Sequence, residues 1–119
     1  MDKVAELRKE AINQLIGYSD NIITATEDVI KELRGSRKTD TDELFGLVIQ
    51  GINWEIEIFN NCEAAINNKK QYIDKNKMAA AVTRLGKVLS EKDDIKIAAC
   101  LDVDFLPFLK LMKEASLNY

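Results

Sequence analysis

Apolar residues recur along the first third of the chain at Val4, Leu7, Ala11, Leu15, Tyr18, Ile22, Ala25, Val29 and Leu33. The steps are threes and fours averaging about 3.6, the period of an α-helix. The stripe predicts one helix from about Lys3 to Arg34, closed by Gly35, a residue that takes the left-handed conformation at little cost. Gly17 interrupts it at a cost of about 1 kcal/mol, yet the stripe passes through without changing phase. A second row, Ile12, Ile16, Ile23 and Ile30, widens the apolar face enough for two neighbouring helices.

The segment from Ser36 to Asp40 is polar, and Asp40 followed by Glu43 has the spacing of a capping box, so a second helix is expected from near Thr41. Its seam is Phe45, Val48, Ile49, Ile52, Ile56, Phe59 and Ile66, flanked by Leu47, Trp54, Ile58, Cys62 and Ala65, with Glu55 and Glu63 inside or beside the apolar arc. The pattern dissolves from Asn67 to Lys70, after which Asp74 or Asn76 is placed to cap a third helix carrying Met78, Ala81, Val82, Leu85, Val88 and Leu89. Asp93 or Asp94 can cap a fourth from Ile95. Pro107 cannot donate to the carbonyl four residues back, so that helix should kink or break there; a restart with Asp104 as cap is the alternative.

One Pro and five Gly leave too few turn signals for a β-sandwich or barrel. The expected fold is all-α: one domain over residues 1–119, a four-helix, mostly antiparallel bundle with a long first hairpin and a Pro-kinked last helix.

Charge narrows the partners. The 17 basic and 20 acidic residues are intermixed and sum to −3, so no single-sign field exists to attract nucleic acid. The densest basic stretch, Arg34, Arg37 and Lys38, falls at a helix end, where cations suit the dipole. No apolar run approaches the roughly 20 residues of a membrane span, and Met1-Asp2-Lys3 leads into the first stripe with no export signal, so a cytoplasmic protein is expected. Cys62 and Cys100 are then expected to be reduced, buried thiols.

Chemistry is constrained chiefly by the lack of histidine, which removes the usual general base and the helical Glu-x-x-His metal motif. The glycines are scattered and form no phosphate loop, and two unlinked cysteines fall short of a zinc site. No cofactor is expected. All-α pyrophosphohydrolases hold magnesium with paired Glu-x-x-Glu and Glu-x-x-Asp ligands; this chain has no Glu-x-x-Glu, and its lone Glu-x-x-Asp, Glu91 and Asp94, falls in an expected loop where capping is the favoured role. The remaining polar candidates are Glu55 and Glu63 on the second helix and Asp102 and Asp104 beside the proline, acids that could hold a cation only if the helix breaks and turns them together. Glu55 should otherwise meet a cation, stay neutral, or reach the rim.

The run Lys92-Asp93-Asp94-Ile95-Lys96-Ile97-Ala98-Ala99-Cys100-Leu101-Asp102-Val103-Asp104-Phe105-Leu106-Pro107-Phe108-Leu109 resembles a C-terminal pattern in uncharacterised small helical proteins of Gram-positive bacteria. There an acidic turn leads to an apolar helix, then Leu, two acids one residue apart, and Leu-Pro. At Ala99 this chain departs from it, since an acid is common there. The resemblance implies no site residue.

The function expected is that of a non-catalytic interaction module: an adaptor, small chaperone or immunity-type accessory factor that binds a protein partner or its own copy. Its surface is expected around Leu47, Trp54 and Ile58, and around Phe105 and Phe108. A small-ligand or divalent-cation protein, or a carboxylate-dependent hydrolase, is the alternative.

Overall fold

Polar breaks and caps divide the chain into four antiparallel helical rods. The computed structural model describes residues 3–118, without the side chains of Val4 and Ala5, so Met1, Asp2 and the place of Val4 in the first stripe lie outside the described residues. Helix α1 spans Lys3–Leu33 and ends where Gly35 adopts a φ of 127°, letting the Ser36 N–H donate to the Glu32 carbonyl at 3.1 Å.

Helix α2 spans Thr41–Ile66, with non-helical backbone angles at Cys62 marking a kink. Its start departs from the expected capping box: Asp40 makes no side-chain cap bond. The buried Thr41 takes over, its hydroxyl accepting from the Lys38 N–H at 2.7 Å and donating to the Glu32 carboxylate at 2.8 Å. A tertiary bond between the ends of two helices thus replaces a local one.

Helix α3 spans Lys75–Glu91 and is capped by Asp74, which accepts from the Asn76 and Lys77 N–H groups; α4 spans Asp94–Cys100 and is capped in the same way by Asp93. A π-helical turn, Leu101–Phe105, then joins α4 to α5, Leu106–Leu117, with helical backbone angles at both joins. The Leu106 N–H reaches back five residues to the Leu101 carbonyl, the π-type bond. Pro107 explains it: its ring would crowd the carbonyl of Val103, and one extra residue in the turn relieves that contact without ending the rod. Asp104 is therefore no cap, and the last rod is one segment.

Helix α1 is central and packs on α2, α4 and α5, while α3 rests on α4 and the π turn. The core comprises side chains such as Leu15, Ile22, Ile52, Phe59, Leu101 and Leu109, each at most 2% exposed. Two polar residues on α1 also face inward: the Ser19 and Thr26 hydroxyls donate to the Leu15 and Ile22 carbonyls at 2.6 and 2.7 Å, meeting their needs within the helix. The molecule measures 51 × 26 × 19 Å. Its thinnest dimension is about two helix diameters, so the hairpin of α1 and α2 has one side on the core and one side outward. Among the described residues no helix is long and apolar enough to cross a membrane.

Candidate functional site

The close approach of α1 and α2 is set by a residue without a side chain. A Cβ at Gly51 would fall on Ile22 Cδ1 and lie 3.0 Å from the Tyr18 hydroxyl. Glycine inside a helix costs about 1 kcal/mol relative to alanine; here its missing methyl lets the two rods converge. On the outer side of the seam this leaves a groove of about 560 Å³. Ile22, Val48 and Gly51 line it together with Tyr18, Leu47 and Trp54. The Tyr18 and Trp54 rings meet edge to face, centroids 5.2 Å apart and planes at 86°.

Leu47 is 56% exposed and Tyr18 38%. Large apolar side chains in one exposed cluster mark a contact surface more strongly than the same residues scattered. The polar lining consists of the uncharged amides Gln14, Asn21 and Gln50.

Of the sequence-predicted surface, Leu47 and Trp54 are in this groove, whereas Ile58 is buried and does not line it. Phe105 and Phe108 form no exposed surface: they are 1% and 7% exposed. Because the π turn keeps the last rod running through Pro107, they stay in the inward row with Leu101 and Met112. Tyr18 joins the groove although its spacing placed it in the core stripe.

Phe108 does contribute to a second cavity, about 460 Å³, between α3 and the last rod. Its charged centre is satisfied internally. Arg84 grips Asp104 through two hydrogen bonds of 2.8 and 2.9 Å, which hold that carboxyl below its usual range. The Cys100 thiol donates to Asp104 at 3.5 Å; burial, then that bond and the carboxylate's charge, push the thiol up to about 11. Burial also raises the Cys62 thiol. Both cysteines are free and protonated at neutral pH, unlike nucleophilic ones.

The four candidate acids are not brought together. Asp102 bonds Arg34, just past the end of α1, at 3.1 Å, Asp104 bonds Arg84 of α3, and Glu63 lies 3.6 Å from Lys75. Since the helix continues through the π turn, Asp102 and Asp104 keep the divergence of alternate helical residues, and each is matched by an arginine. Among the described residues no group of three or more His, Cys, Asp or Glu is placed to hold a metal. Glu55 does not reach the rim: it is fully buried, and among the described residues it meets no cation and neither carboxyl oxygen has a hydrogen-bond partner. Burial raises it from 4.5 to about 8, so it is mostly neutral at pH 7.

Residues 10–115 match the family model described as a domain of unknown function, DUF8042, and the chain belongs to that family. The match includes every residue that lines the groove. No curated protein and no solved structure matches the chain.

Proposed function

We propose that this family member is a non-catalytic interaction module, an adaptor- or accessory-type factor that seats a protein partner in the groove of its first hairpin. One observation carries the reading: Tyr18, Leu47 and Trp54 form a continuous apolar surface, partly open to solvent, over a seam held close by Gly51. The polar groups elsewhere suit a scaffold better than a reaction centre. Asp102 and Asp104 are bound to arginines, and both thiols are held protonated by burial.

Affinity capture with the wild-type chain and with Leu47→Glu as parallel baits tests this. Leu47 is mostly exposed, so the variant keeps the helical circular dichroism of the parent. A protein retained by the wild type and lost from the variant supports the reading. Identical sets on both baits contradict it.

A further inference from the structure

The polar rims of the groove describe what fits it. On α2, Glu43, Gln50 and Glu57 are spaced by seven and form one exposed row beside Leu47 and Trp54. On α1, Gln14, Asn21 and Asp28 form the matching row beside Tyr18 and Ala25. The Tyr18–Trp54 and Glu32–Thr41 contacts fix the antiparallel register, which sets Asp28 and Glu43 at one end of the groove and Glu57 at the other. Among the described residues its lining is uncharged, with no lysine or arginine, and the acids of the two exposed rows stand beyond its ends. Among the described residues none of Asp28, Glu43 and Glu57 is in an ion pair.

Resting on the proposed interaction role, we infer that the groove receives an amphipathic helix from another protein, with an apolar stripe flanked at both ends by lysine or arginine. The dimensions agree. From Leu44 to Trp54 the lining covers about 15 Å of helix, room for anchors at i, i+3 or i+4, and i+7. Glu43 and Glu57 stand 14 residues apart on α2, about 21 Å along its axis, so the partner's cations lie just outside a stripe of that length. A second copy of this chain is disfavoured by the same charges. A twofold axis through the groove places acidic ends on acidic ends in either orientation.

The test uses two tryptophan-free helical peptides of about 18 residues with the same leucine stripe, one ended by lysines and the other by glutamates. Trp54, the chain's one tryptophan, reports occupancy of the groove through its emission. The lysine-ended peptide should shift that emission to shorter wavelength saturably and bind about tenfold tighter than its counterpart, and E43K/E57K should reverse the order. Equal binding of the two peptides overturns the charge complementarity and leaves the groove as a binding surface. Emission unmoved by either peptide overturns this inference together with the role it rests on. A dimer in sedimentation that Leu47→Glu dissociates overturns it in favour of a second copy.

Discussion

Tyr18 and Trp54 meet edge to face across the seam of the first hairpin, 5.2 Å between ring centroids. The contact is both a packing element and one wall of the groove. An edge-to-face pair contributes about 0.5–1.5 kcal/mol beyond the area it buries. Tyr18→Ala should therefore lower stability by about 1–2 kcal/mol and red-shift Trp54 emission, whereas Tyr18→Phe keeps the ring and should match the wild type. Urea titration read by Trp54 fluorescence checks both; equal stability of all three proteins would show that the pair contributes nothing.

Three glycines make a matched set. Gly17 and Gly46 have nothing within 4 Å of an added Cβ, so alanine there should raise stability by up to about 1 kcal/mol through helix propensity. Gly51→Ala brings the same propensity gain but drives a methyl into the side chain of Ile22, which is 2% exposed. Overpacking of this kind costs about 1–3 kcal/mol, so the net change should be a loss. Thermal melts of the three variants give the order, and a stabilised Gly51→Ala would refute the close approach.

Glu55 makes stability depend on pH. The folded chain holds this proton up to about pH 8, the unfolded chain only to about 4.5, so its contribution is complete below pH 4.5 and is lost as pH rises to about 8. Glu55→Leu removes both the titration and two unpartnered oxygens. Its stability advantage over the wild type should widen by about 1 kcal/mol per pH unit between pH 5 and pH 8. Chemical denaturation of the pair at several pH values checks this, and an advantage constant with pH would mean Glu55 is solvated or paired.

Asp104 supports the high pKa of the Cys100 thiol, second to burial. Asp104→Asn removes the negative charge, so the thiol should titrate below about 11 while burial keeps it above the ordinary 9. The pH profile of thiol alkylation measures the shift. An unchanged profile would leave burial as the whole cause.

The rods themselves were legible because each lies under an uninterrupted periodic stripe and ends at a residue with a local role. Gly35 closes α1, and Asp74 and Asp93 cap their helices through bonds only two and three residues long. What depended on a second helix was not legible. Tyr18 has core spacing, yet it faces the groove because of where α2 lies. Gly51 gives no local sign that Ile22 needs its space. The inward turn of Phe105 and Phe108 follows from the π turn, an insertion of one residue that periodicity around a proline cannot distinguish from a kink. Asp102 and Asp104 found arginines 68 and 20 residues away, pairings set by topology rather than spacing.

The claim that the first hairpin carries the binding surface is tested most directly by amide chemical-shift mapping of the chain titrated with the lysine-ended peptide. The groove account predicts the largest shifts at Tyr18, Leu44, Leu47 and Trp54. Shifts concentrated at Arg84, Phe108 and Leu111, around the cavity between α3 and α5, would contradict it.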